Sequence, residues 1–230
     1  TEDIAVLSSR QISSLGSSQV RLLGSDQVGA ISSDAIVGVS SVQLRSISTE
    51  ALAGLTTEQV GVLKSAQVAG LVSSQIGALG TSQIAAISTG VLRGLGSVQL
   101  RGLNSDQVAA LTTDQAKALG SSQLGSLATD ALAGFETEDV AQLTSAQVIG
   151  FGSRELVALG TAGFAAISAG AVKGLSSGAI RGLGSDQVTA LTTDQAVALT
   201  SLQLASIGTG AIAGLETEDI AALSSAQVSS

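Results

Sequence analysis

Apolar residues recur at fixed intervals along this chain, with spacings that alternate between five and three. One series places Leu, Ile, Val or Phe at every eighth position from Leu7 to Leu223, and a second series follows five residues after each, as at Val20 and Val28. The full unit reads apolar, Gly/Ser/Thr, Ser/Thr, variable, Gln, Val/Ile/Leu, variable, Ala/Gly, and it recurs 28 times without insertion. Such an unbroken short period predicts a solenoid or filament in which each unit packs mainly on its neighbours.

Neither regular secondary structure can run through a whole unit of eight residues, here called an octad. An α-helix advances about 100° per residue, so the apolar series would wind around a continuous helix and never form one stripe. A strand keeps residues on one face only at even spacings, and both five and three are odd. The pattern therefore predicts a break in every octad.

The small polar residues indicate where this break lies. The third position of the octad is Ser or Thr throughout, except at Ala169, and these residues are preferred helix N-caps. The second position is often Gly, as at Gly16 and Gly24, and Gly tolerates the left-handed conformation that ends many helices. We therefore expect one helix to end where the next begins.

The charged residues favour short helices independently. Acids concentrate at the fourth position and bases three residues further on, which suits the dipole of a helix. The acids are Glu2, Asp26, Asp34, Glu50, Glu58, Asp106, Asp114, Asp130, Glu138, Asp186, Asp194 and Glu218; the bases are Arg21, Arg45, Arg93, Arg101, Lys117, Lys173 and Arg181. The predicted fold class is all-α, a superhelix with one helix of about six residues per octad. A β-solenoid is the alternative.

A slower period overlies the octads. Gln at the fifth position gives way to Ala or Val every 40 residues, at Ala51, Val91, Ala131, Ala171 and Ala211. Duplication of a larger block explains this period. So does a superhelical turn of about five octads, in which every fifth octad would meet the same environment. Small eighth residues such as Gly54 and Gly70 are expected to let neighbouring backbones approach closely.

Composition narrows the possible functions. The 230 residues include no Cys, His, Met, Trp, Tyr or Pro, and the net charge is −8. The acidic balance argues against nucleic acid as a partner, and no apolar stretch approaches the roughly 18 residues of a spanning helix. Residues 1–230 are expected to form a single continuous array without end caps, either an excerpt of a longer array or a filament subunit. Its predicted partners are further copies of the repeat.

Two residue classes could carry chemistry, and both have structural interpretations. The fifth-position glutamines, such as Gln59 and Gln115, are either an exposed ladder that binds a polymer or groups that bond to a helix start or to the next coil. The structural interpretation is favoured because glutamine recurs at the fifth position whatever the neighbouring residues are. The acidic segments Glu136–Asp139 and Glu216–Asp219 could attract Ca²⁺, but helix-dipole complementation explains them more simply.

No catalytic site, metal site or cofactor site is predicted from the side chains. Without His or Cys the common nucleophile and base pairs are missing, and adjacent carboxylates such as Glu138 and Asp139 do not face each other on a helix. The Ser/Thr column could order ice or a glycan only on a flat sheet, which would require the β-solenoid. We therefore expect a chain that is not an enzyme.

The segments Leu-Thr-Thr-Asp-Gln-Ala from Leu111 and Leu191, and Leu-Thr-Ser-Ala-Gln-Val from Leu143, resemble octapeptide tracts of very large bacterial exoproteins, commonly described as adhesin-like or haem-utilisation-like. The resemblance covers the whole chain and implies an extracellular or cell-surface location. The haem-utilisation description finds no support in the sequence, because the chain has no residue that usually ligates haem iron. The predicted function is a structural stalk or spacer in a giant secreted or surface protein. A filament subunit assembling end to end and a solenoid that binds peptide or glycan are the alternatives.

Overall fold

The computed structural model describes residues 2–229, and every octad in this range forms a short helix. Its contacts divide the chain into two compact units, residues 1–118 and residues 119–230. The first unit contains α1 Glu2–Ala5, α2 Ser9–Ser14, α3 Ser17–Val20, α4 Ser25–Gly29, α5 Ser33–Ile36, α6 Ser41–Ser46, α7 Thr49–Leu52, α8 Thr57–Val62, α9 Ser65–Val68, α10 Ser73–Gly77, α11 Thr81–Ala86, α12 Thr89–Arg93, α13 Ser97–Leu100, α14 Ser105–Ala109 and α15 Thr113–Ala118.

The second unit continues the same pattern. It contains α16 Ser121–Leu124, α17 Thr129–Leu132, α18 Thr137–Ala141, α19 Ser145–Val148, α20 Ser153–Ala158, α21 Gly160–Ala166, α22 Ala169–Val172, α23 Ser177–Arg181, α24 Ser185–Thr189, α25 Thr193–Ala198, α26 Ser201–Leu204, a 3₁₀ turn Ile212–Gly214, α27 Thr217–Ala222 and α28 Ser225–Val228. The described residues include no strand, so the all-α solenoid is confirmed and the β-solenoid alternative is wrong.

The helix starts lie one residue earlier than the sequence indicated. The N-cap is the second residue of the octad, such as Ser8 or Thr56, and the third-position Ser or Thr is the first helical residue. The glycines at the second position are therefore N-caps with extended backbones, as at Gly16 (φ −69°), and the predicted left-handed conformation is wrong there. Among the described residues only Gly160 has a positive φ, of 71°.

Two aliphatic columns form the core of each unit. In most octads the first-position and sixth-position residues are buried, as are Leu52 and Leu55, and Val60 and Leu63. A single helix of four to seven residues is too short to persist in water, so burial of these columns against neighbouring octads must stabilise it. The acids of the fourth position still lie in the first helical turn, as Glu58 does in α8, where they complement the dipole.

Within each unit a helix packs on the third helix along the chain, as α4 does on α7 and α17 does on α20. The eighth-position glycines make this contact close. A Cβ added at Gly54 would lie 2.2 Å from the carbonyl oxygen of Ser25, and one added at Gly174 would lie 2.0 Å from that of Ser145. At Gly54 and Gly174 a residue without a Cβ is thus required by a backbone contact between successive turns of the superhelix.

The superhelix completes a turn in fewer octads than predicted. Helix packing joins octads three apart, and side-chain hydrogen bonds, described below, join octads four apart. One turn therefore takes between three and four octads, and the predicted value of about five is wrong. Five octads are not a whole number of such turns, so the 40-residue period of Ala51 and Val91 does not coincide with one superhelical turn. Block duplication stays a prediction.

Candidate functional site

The fifth-position glutamine is the polar side chain that the fold uses most consistently. In α8, Gln59 is only 1% exposed, and its Oε1 accepts a hydrogen bond from the backbone N–H of the N-cap Thr56 at 2.8 Å. The Thr56 hydroxyl accepts in turn from the Gln59 N–H at 3.1 Å, which completes a capping box. One end of the glutamine amide therefore closes the start of its own helix.

The other end of the same amide reaches the adjacent turn. Gln59 Nε2 donates to the carbonyl oxygens of Val28 at 2.9 Å and Gly29 at 3.2 Å, and also to that of Ile31. These carbonyls lie at the C-terminus of α4, where the last acceptors of an α-helix have no partner within the helix, although that of Val28 also accepts from the Ile31 N–H at 3.2 Å. The glutamine thus satisfies a donor at one helix start and several acceptors at a helix end four octads earlier.

This arrangement recurs along both units. Each participating Nε2 donates to carbonyls among those that lie 31, 30 and 28 residues earlier. The glutamines that form bonds of this type include Gln43, Gln59, Gln67, Gln75, Gln83, Gln99, Gln107, Gln115, Gln147, Gln195, Gln203 and Gln227. We call each group of carbonyls a carbonyl cage. The structural interpretation of the glutamine column is confirmed, and the exposed polymer-binding ladder is wrong for these residues.

Gln187 is an exception, and it shows what the bond to the carbonyl cage requires. Gln187 keeps its cap bond to Gly184 N–H at 3.2 Å, yet its Nε2 donates no hydrogen bond to any described residue. The expected acceptors lie at Leu156 and Leu159, where α20 runs almost directly into α21. Leu159 has ψ −15°, whereas its counterpart Leu63 has ψ 146°, so the Leu159 carbonyl points in a different direction. The left-handed Gly160 permits this irregular junction.

Two acids occupy the glutamine position and are buried there. Asp139 is 4% exposed and Asp219 is 2% exposed, although both lie in acidic segments that the sequence assigned to exposed helix starts. Asp219 Oδ2 is a buried side-chain oxygen without a hydrogen-bond partner, and it alone has this property among residues 2–229. The sequence signal was available, because both acids interrupt the glutamine column. Asp139 and Asp219 lie in the first turns of α18 and α27 together with the exposed Glu138 and Glu218, as helix-dipole complementation predicts, but the helix dipole does not explain why the two aspartates are buried.

The surface offers shallow grooves rather than a deep cleft. In the second unit a groove of about 400 Å³ is lined by Thr129, Ser153, Arg154, Val157, Ala158 and Gly182. A smaller one of about 240 Å³ lies among apolar residues of the octads from Leu204 to Val228. The structure brings no residues together that would make either groove a catalytic centre, so the binding-module hypothesis stays a prediction.

Metal-binding and membrane-spanning features can be stated for the described part of the chain. Between residues 2 and 229, no three side chains of the His, Cys, Asp or Glu type converge in a way that could hold a metal ion. In the same range, each helix is too short or too polar to cross a bilayer.

Comparison with known proteins identifies the repeat. The model of the ALTTAQ repeat family matches residues 1–33, 61–89, 84–121 and 164–201, which together make up more than half of the chain. In the third and fourth matches the sequence Ala-Leu-Thr-Thr-Asp-Gln appears, at residues 110–115 and 190–195, each ending in a glutamine that fills a carbonyl cage. No curated protein matches the chain. The family match and the octad geometry agree, and the chain belongs to the ALTTAQ repeat family.

Proposed function

We propose that this chain is a non-catalytic structural array, a stalk or spacer within a very large secreted or cell-surface protein. The observation that carries the proposal is the use of the glutamine column. Gln59 and most of its counterparts are buried, and their amides bond to backbone groups of the repeat itself. The most regular polar group of the repeat is therefore unavailable to a ligand and holds successive turns together instead.

The mode of packing supports a spacer because it is local and additive. Helices pack on the third one along, and most glutamine-bearing octads also bond to the fourth helix back, so added octads repeat the contacts of earlier ones. The array can be lengthened without redesign of a core. The proposed extracellular or surface location is supported by the resemblance of Leu111–Ala116 and similar segments to tracts of giant bacterial exoproteins.

Length measurements test the spacer. A series with one, two and three copies of residues 105–184 inserted in frame would be compared with the parent chain by small-angle X-ray scattering. A spacer is expected to lengthen in equal steps per inserted block. Growth of the radius of gyration with roughly the 0.38 power of residue number, as in a compact globule, would contradict the proposal. Antibody labelling of intact cells of the source organism would test the location separately.

A filament subunit that assembles end to end with further copies of the repeat is the second candidate. Sedimentation velocity distinguishes the candidates, because a spacer is expected to stay monomeric at rising concentration, whereas a filament subunit forms long assemblies.

A further inference from the structure

The buried acid Asp219 lies where most octads place the bridging glutamine. The octad after it, with Gln227, and the octad two before it, with Gln203, show the ordinary arrangement, whereas the intervening octad has Ala211 at this position. Gln203 Nε2 donates to the carbonyls of Val172 at 3.0 Å and Leu175 at 2.7 Å, and Gln227 Nε2 donates to that of Leu199 at 2.8 Å. By the same register, the carbonyl cage that corresponds to Asp219 consists of Val188, Thr189 and Leu191.

An aspartate cannot replace the glutamine in this bond. A carboxylate only accepts hydrogen bonds, as do the carbonyl oxygens of the cage, so the donor that glutamine supplied is lost. The side chain is also one methylene shorter, which leaves a gap where the amide nitrogen would lie. The loss of the hydrogen bond agrees with the structure, because Asp219 is 2% exposed and its Oδ2 has no hydrogen-bond partner.

The carbonyl oxygens of the cage also favour a positive charge beside Asp219. The carbonyls of Val188 and Thr189 belong to the last turn of α24, Ser185–Thr189, where the helix dipole presents its negative end. No hydrogen bond or ion pair to a base compensates the Asp219 carboxylate in the described chain. A buried charge without a partner is strongly unfavourable, so a cation at this point would satisfy both the carboxylate and the carbonyls.

We propose that Asp219 and the carbonyl cage of Val188, Thr189 and Leu191 form a Ca²⁺ site between successive turns of the second unit. The donor set is entirely oxygen, as hard cations prefer, and Ca²⁺ accepts mixtures of carboxylate, carbonyl and water at 2.3–2.6 Å. A bridging ion at such distances spans the gap that the missing methylene leaves. Because only one carboxylate contributes, the site belongs with weak calcium sites, of about 10⁻⁴–10⁻³ M.

Mg²⁺ fits this cage less well. It requires near-octahedral geometry at about 2.0–2.1 Å and gives up its water reluctantly, whereas backbone carbonyls at a helix end are fixed in position. The bound Ca²⁺ would take over the role of the glutamine amide and tie α27 to the end of α24. This inference concerns a ligand and does not depend on the spacer or filament proposal.

Equilibrium dialysis of the full chain against radiolabelled Ca²⁺ tests the site directly. The wild-type chain is compared with Asp219→Asn, which removes the charge, and with Asp219→Gln, which restores the amide. Both substitutions are expected to lower the calcium stoichiometry by one equivalent per chain. Asp106→Asn is the matched control, because Asp106 is an exposed acid of a helix first turn, and this variant is expected to bind as the wild type does.

Thermal unfolding gives a second readout. Calcium chloride at several millimolar is expected to raise the Tm of the wild-type chain and of Asp106→Asn by a few degrees, and to leave Asp219→Gln unchanged. Magnesium chloride at the same concentration is expected to have a smaller effect on the wild type. The proposal is overturned if the wild type binds no Ca²⁺, or if Asp219→Gln retains its full calcium stoichiometry. Should Asp219→Asn fail to fold, Asp219→Gln alone still decides the question.

Discussion

Replacement of Gln59 by Glu isolates the bond between turns from the helix cap. Glu is nearly isosteric with Gln and its carboxylate can still accept from the Thr56 N–H, which Gln59 Oε1 now binds at 2.8 Å. The natural octad with Glu155 shows this, since Glu155 Oε2 accepts from the Gly152 N–H at 2.9 Å. The amide donor that binds Val28 and its neighbours is lost, so the perturbation falls on the contact between turns.

The expected loss follows from the geometry. Gln59 Nε2 donates to Val28 O at 2.9 Å and Gly29 O at 3.2 Å as well as to Ile31 O, and the side chain is 1% exposed. A buried acceptor left without a donor costs about 1–3 kcal/mol, and a buried charge costs more. We expect Gln59→Glu to lower the free energy of unfolding by about 3 kcal/mol, which corresponds to a Tm decrease of roughly 6–12 °C for a chain of this size.

The chain supplies a matched control in Gln19. Its Oε1 accepts from the Gly16 N–H at 2.8 Å, as in the interior octads, but the side chain is exposed and has no carbonyl cage opposite it in the described chain. We expect Gln19→Glu to change the free energy of unfolding by less than about 0.5 kcal/mol. Thermal and urea unfolding followed by far-UV circular dichroism would measure both variants. Equal losses at the two positions would refute the bridging role and leave only the cap.

Three further substitutions test other contacts. Gly54→Ala is expected to lower the free energy of unfolding by about 1–3 kcal/mol, because its Cβ would lie 2.2 Å from the Ser25 carbonyl oxygen. Gly90→Ala is the control, because Gly90 is helical and a Cβ there would meet nothing within 4 Å; this variant should be neutral or slightly stabilising in the same urea titration. Gly160→Ala should cost about 1–2 kcal/mol through its φ of 71°, and an unchanged urea midpoint would argue against the left-handed junction. In calcium-free buffer, Asp219→Gln should raise the free energy of unfolding by about 1–3 kcal/mol by giving the cage a donor, and a loss of stability would contradict the register assigned to it.

The sequence by itself determined the class of the fold. Spacings of five and three cannot lie on one face of a continuous helix or strand, so Val60 and Leu63 could share a face only within a short helix. The distribution of charges indicated which part of the octad begins a helix and which part ends it. Glu58 lies near the start of α8 and Arg45 in the last turn of α6. Both deductions are local, because they depend on residues within one helical turn of each other.

Only the tertiary structure decided how the turns meet. The number of octads per turn, between three and four, depends on the angle between successive helices. Small backbone differences at each octad junction accumulate into this number, so no eight-residue pattern specifies it. The second role of Gln59 was equally hidden, because the cap lies three residues away and the cage about thirty. In the sequence Asp219 resembles the other acids at helix starts. Only the tertiary structure shows that its side chain is buried and that Oδ2 accepts no hydrogen bond.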